Sequence, residues 1–271
     1  MTSPSRPRTP RLYHAAPAPA LPATSALLLV LAALATLIAV AKIAIGLGAP
    51  LHVALAAAQL GMLALTLLVL RAARLPPRAL GIAPAQARYL AAAVLIGASI
   101  WYLNLALIDL LFDVAPEEVE ALQRIVERPP LGAVLLAIAL VPAVCEEVLF
   151  RGALLRALAA RIAPAAALGI AAAMFAVYHF KPVQMLPTFT LGIVLGALSL
   201  RAGSILPSVI AHGLNNTMAI VVHRQESESL TRGLHDRPDL ALAVCGALFL
   251  LGVGIAITAP IAQVRTEGGA P

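Results

Sequence analysis

The spacing of its apolar runs constrains this chain more than any other feature. Runs at about 25–48, 50–71, 89–112, 131–158, 164–181, 183–201, 204–222 and 239–262 each approach the ~20 residues an α-helix needs to cross a bilayer. Lipid offers no water to satisfy free backbone N–H and C=O groups, so segments of this kind are viable only as helices. The expected fold class is therefore all-α, a polytopic membrane helical bundle of about eight transmembrane helices. Composition agrees, because 61% hydrophobic and 12% charged residues lie far from the values of a soluble domain.

The net charge of +6 would suggest a nucleic-acid partner in a soluble protein, but here the arginines lie in short loops between apolar runs. Arg6, Arg8 and Arg11 precede the first run, Arg71, Arg74, Arg78 and Arg88 follow the second, Arg156 and Arg161 follow the fourth, and Arg201 follows the sixth. Alternate loops enriched in this way are the cytoplasmic ones, which puts both termini in the cytoplasm. The opposite loops carry Asp113, Glu117, Glu118 and Glu120, then Glu226, Glu228, Asp236 and Asp239. With Ala- and Leu-rich spans, this reads as an integral, multi-pass protein of a prokaryotic cytoplasmic membrane, with lipid as its surroundings and no nucleic acid. Residues 1–24, rich in Pro, Ser and Arg, form a disordered cytoplasmic tail. Residues 25–128 hold the N-terminal transmembrane helices and loops, and residues 116–128 (PEEVEALQRIVER) read as a short amphipathic helix on the outer surface. Cys145 and Cys245 lie in apolar runs without metal or disulfide spacing and read as packing residues.

Against this background the pair Glu146 and Glu147 stands out, because it sits inside the apolar stretch LLAIALVPAVCEEVLF. A charge near the bilayer centre costs at least ~2.5–3.5 kcal/mol, so such residues face a bundle interior, pair, or do chemistry. Glu147 and Arg151 are four apart and share a helical face, so Glu147 has a local partner. Glu146 is rotated about one residue's turn away and is free to point elsewhere. Pro142, four residues earlier, is placed to kink the helix. Later spans add Phe175 and His179, then His212 and Asn216, each pair four apart. Singly, each polar residue has an ordinary packing explanation. Together, Glu146, His179, His212 and Asn216 supply a general base, two imidazoles and an amide donor, which suffices for hydrolysis.

These residues resemble a known family. EEVLFR (146–151), FAVYH (175–179) and HGLNN (212–216) are similar to the E-E-x-x-x-R, F-x-x-x-H and H-x-x-x-N motifs of the CPBP intramembrane proteases, the CAAX prenyl protease and bacteriocin-processing (ABI) group. The resemblance covers about residues 131–222. It implies a CPBP-type catalytic core over 129–222, followed over 223–271 by an outer loop, the last transmembrane helix and a short tail. It further implies that Glu146 and His179 polarise the attacking water, that His212 and Asn216 stabilise the oxyanion, and that Glu147 and Arg151 support the site. The mechanism is left open between metal-independent catalysis, which the lack of an H-E-x-x-H helix favours, and a divalent metal such as zinc held by Glu146, His179 and His212.

The implied partners are membrane lipid and a protein or peptide substrate, cleaved in C-terminal processing or sorting, or in leader removal. The alternatives are an ion- or proton-coupled transporter and a non-catalytic immunity or scaffold protein on the same fold. Depth poses a difficulty, since Glu146 lies about fifteen residues from the outer end of its span and His179 lies close to the outer end of the next. They approach each other only if the fourth span starts deeper or the fifth is short and tilted. Gly192 and Gly196 form a small-x-x-x-small pair for close helix approach.

Overall fold

The computed structural model describes residues 19–112 and 129–261, with the side chains of 228–230 excepted. The expected tail up to residue 18 and the expected amphipathic helix at 116–128 lie outside the described residues. Among the described residues every regular element is helical. In chain order they are α1 (Ala23–Gly46), α2 (Leu51–Ala72), α3 (Ala87–Leu111), α4 (Leu131–Ala159), α5 (Pro164–Tyr178), α6 (Pro182–Ala202), α7 (Leu206–His223), α8 (Glu228–Asp236) and α9 (Pro238–Thr258). Proline opens α5, α6 and α9, the first-turn position where its missing N–H costs nothing.

The helices are consistent with the membrane bundle expected from the sequence, but the count of eight spans is not confirmed. Among the described residues six helices, α1, α2, α3, α4, α6 and α9, are long and apolar enough to cross a membrane. The 15-residue α5 is about 22 Å long against a hydrocarbon thickness of about 30 Å. At 18 residues α7 is nearly long enough, and it carries the polar side chains of His212, Asn215 and Asn216.

The helices are arranged around α4. More than half of its most apolar stretch (56%) is buried inside the protein, against 17% for α1 and 22% for α9, which turn Leu28, Leu31, Leu250 and Ile257 outward as lipid-facing surface. α2 packs on α1 and on α4, α3 on α9, α7 and α6, and α5 on α6. One end of the bundle gathers the Arg-bearing loops. Ile205 N–H donates to Gly81 O at 2.9 Å and Ser204 Oγ donates to Ala83 O at 2.6 Å, tying the α6–α7 turn to the α2–α3 connection. Ser204 Oγ also accepts from Leu206 N–H at 3.2 Å, at the start of α7.

α4 is not a uniform α-helix. Two π-helical stretches, Leu135–Leu140 and Glu147–Leu154, flank the α-helical turn Val141–Glu146. Val141 N–H reaches back to Leu136 O, an i→i−5 bond, just before Pro142, which has no N–H to give. The break expected at Pro142 thus appears as a widened turn on its N-terminal side.

Candidate active site

The second π stretch begins at Glu147, so the two adjacent glutamates straddle the change of helical geometry. Both are buried, Glu146 at 4% and Glu147 at 0% exposure. Glu147 Oε1 accepts from Arg151 Nη1 at 2.6 Å, as the four-residue spacing predicts, and also from His212 Nδ1 at 2.9 Å across to α7. Beyond the local partner Arg151 expected from the spacing, the Glu147 carboxylate also joins α4 to α7. Arg151 is fixed from two further sides, by Gly192 O of α6 at 3.4 Å from Nη2 and by the face of Phe175, 4.4 Å from Cζ.

Glu146 has different neighbours. Its Oε1 accepts from Gln59 Nε2 of α2 at 2.7 Å. Its Oε2 lies 3.8 Å from His212 Nε2, beyond hydrogen-bond length, and is buried without a hydrogen-bond partner. Since the Glu147 carboxylate can only accept, His212 Nδ1 carries a proton, and in the neutral imidazole Nε2 is an acceptor. Nε2 donates only as the imidazolium, whose charge Glu147 is placed to compensate.

His179 sits at the C-cap of α5, one residue beyond its last turn. Its Nδ1–H donates to Phe175 O at 2.8 Å, so its Nε2 is likewise the open nitrogen. Phe175 explains the aromatic of the F-x-x-x-H pattern. Its ring takes Arg151 on one face and meets both His179 and His212 edge-on, with centroids 4.8 and 5.9 Å away. The depth difficulty is resolved by a short α5, because α4 starts at Leu131 as the sequence suggests while α5 ends at Tyr178.

Direct contacts join Glu146, Glu147, Arg151 and His212. Among the described residues, His179 reaches this group through Phe175, and Asn216 hydrogen-bonds Asn215 rather than Glu146 or His179. Asn215 Nδ2 donates to Asn216 Oδ1 at 3.0 Å, which leaves the Asn216 Nδ2 group to donate elsewhere. No three His, Cys, Asp or Glu side chains among the described residues are grouped to hold a metal ion. The Nδ1 contacts of His179 and His212 leave both Nε2 atoms open, as in a metal-bound imidazole, but Glu146, His179 and His212 are not gathered as a zinc centre as placed.

The sequence reading missed Gln59. Its signal was a lone amide in the apolar run ALAAAQLGML, the kind of residue that needs a partner in a bundle interior. One turn further along α2, Met62 Sδ accepts from Tyr178 Oη at 2.9 Å, so the same face of α2 reaches the end of α5 beside His179.

Fold and site together define a polytopic helical membrane protein with a buried carboxylate–histidine centre. Residues 128–218, about a third of the chain, match the family model of the type II CAAX prenyl endopeptidases, Rce1-like. That stretch is similar to a CAAX-protease domain of the CPBP type. No curated protein and no solved structure matches the chain.

Proposed function

We propose that the protein is an intramembrane endopeptidase that hydrolyses a peptide bond of a membrane-associated protein or peptide by metal-independent, glutamate-assisted attack of water. The observation that carries this reading is Glu146 Oε2, buried without a hydrogen-bond partner and facing His212 Nε2 at 3.8 Å, while Oε1 is held by Gln59. A carboxylate with one oxygen fixed and the other open suits a general base. Water attacks the scissile carbonyl as its proton passes to Glu146, assisted by His179 Nε2. The oxyanion formed accepts from the Asn216 amide and from the His212 imidazolium. Collapse breaks the C–N bond as the proton returns to the leaving amine. Glu147 and Arg151 hold His212 and Phe175 in register.

The substrate class that fits best is a C-terminal sorting segment or a leader peptide of a membrane-associated protein. The Arg-bearing loops gathered at one end support a cytoplasmic location for that end and for both termini.

Comparison of membrane-protein termini in cells carrying wild-type or Glu146→Gln protein tests the reading and identifies the substrate. Loss of the general base lowers turnover about 10²–10⁴-fold in a protein that still folds. Normal turnover by folded Glu146→Gln protein defeats the assignment. Dialysis of the purified protein against a chelator leaves turnover unchanged, whereas a loss reversed by added zinc overturns metal independence.

A further inference from the structure

The geometry points to Gln59 of α2 as a positioning residue that fixes the Glu146 carboxylate for catalysis, so that the site is completed by a helix outside the matched 128–218 domain. The inference rests on the protease reading for its catalytic meaning, but the contact itself stands on geometry. Gln59 is 9% exposed, and its Nε2 donates to Glu146 Oε1 at 2.7 Å between residues 87 positions apart in sequence. A buried amide in an apolar helix needs a partner, and Glu146 is the one it has.

The hydrogen bond has a directional consequence. An ionised carboxylate only accepts, so Gln59 must present its N–H group to Glu146 and turn its carbonyl oxygen away. Occupying Oε1 stops rotation of the carboxylate and leaves Oε2 as the oxygen that faces His212 Nε2. Gln59 Oε1 is buried and has no hydrogen-bond partner, which leaves it able to accept from the attacking water or from a substrate N–H. The register of α2 is fixed by a second contact on the same face, Tyr178 Oη to Met62 Sδ at 2.9 Å. Gln59 is thus held opposite Glu146 by packing as well as by its own hydrogen bond.

Gln59→Leu removes the donor at nearly constant volume. With labelled casein as the probe substrate, kcat falls about 10- to 100-fold while KM stays within about twofold, since the contact orients the base and does not bind substrate. Gln59→His, which restores an N–H donor, recovers part of the loss. A kcat for Gln59→Leu equal to wild type overturns the proposal. A second readout needs no turnover. The infrared carboxylate band of Glu146, isolated by subtracting the spectrum of Glu146→Gln, shifts when Gln59→Leu is introduced, and a band that stays put overturns the contact. If wild-type protein leaves casein intact, the casein result counts against the protease reading and the infrared result alone decides the role of Gln59. Should Gln59→Leu not fold, Gln59→Asn, which retracts the amide by one methylene, carries the same two expectations.

Discussion

At the residue scale, the two glutamates are separated by what each oxygen touches. Glu147 Oε1 holds both Arg151 and His212, and its Oε2, like that of Glu146, is buried without a hydrogen-bond partner; Glu146 is set apart by facing His212 Nε2 with its open oxygen. Replacing Glu147 with glutamine leaves the Arg151 guanidinium, 2% exposed, without its counter-charge. Breaking a buried ion pair by removing one partner costs about 3–5 kcal/mol. Glu147→Gln is therefore expected to lower the thermal unfolding midpoint well below that of Glu146→Gln, as followed by circular dichroism in detergent. Adding Arg151→Met to Glu147→Gln recovers part of the loss, because the orphaned charge is gone; strict additivity of the two changes speaks against the pair as described. The local half of this arrangement is legible in sequence, since four-residue spacing puts Glu147 beside Arg151 and Phe175 beside His179. The contacts of Glu147 with His212 and of Glu146 with Gln59 are not, because they depend on which helices pack together, and spacing within a helix carries no such information.

At the element scale, the site is shaped by departures from regular helix and by close approach. The π stretch over Glu147–Leu154 adds width to a turn within a buried helix, and a sequence read at 3.6 residues per turn has no means of placing it. The shortness of α5 is legible in part, since the run at 164–181 is marked off by Pro164 and by Lys181 and Pro182. Which glycines serve close approach is again tertiary information. Gly192 and Gly196 do face α5, where a Cβ would meet Ala172 at 3.0 Å and Leu168 at 2.4 Å respectively. The tightest backbone approach lies elsewhere, at Gly97 of α3, where a Cβ would lie 2.5 Å from Ala211 O and 2.8 Å from Ala211 Cα. Backbone atoms cannot swing aside, so Gly97→Val forces α3 and α7 apart next to His212. A stability loss of at least about 1–3 kcal/mol is expected, together with a loss of turnover, measured by unfolding and casein cleavage in parallel. Gly254→Ala on α9, where a Cβ meets nothing within 4 Å, is the matched control and leaves both unchanged. Equal behaviour of the two variants contradicts the α3–α7 packing.

At the scale of the whole molecule, the matched domain depends on the helices before it. α2 brings Gln59 and Met62 to the site, and α3 packs against α6, α7 and α9 while offering Gly97 to the backbone of α7. α4, α5, α6 and α7 therefore lack one wall of the candidate site when isolated. Two polar contacts reinforce the α3–α6 side, with Asn104 Nδ2 donating to Pro187 O at 3.2 Å and Thr190 Oγ1 donating to Asn104 Oδ1 at 2.8 Å. Such bonds between helices in lipid are worth about 0.6–2 kcal/mol each, enough to guide association once the helices are inserted. A chain expressed as residues 128–218 alone is thus expected to lack casein cleavage and to be cleared by cellular proteolysis. Two chains divided between residues 112 and 129 keep every described helix intact and every contact named above. Co-expressed, they are expected to copurify through a tag on either half and to recover cleavage. Introducing Gln59→Leu into the first half then lowers turnover without loss of copurification, because the Asn104, Met62 and Gly97 contacts still join the halves. Full cleavage by the 128–218 chain alone would show instead that the site is complete within the matched domain.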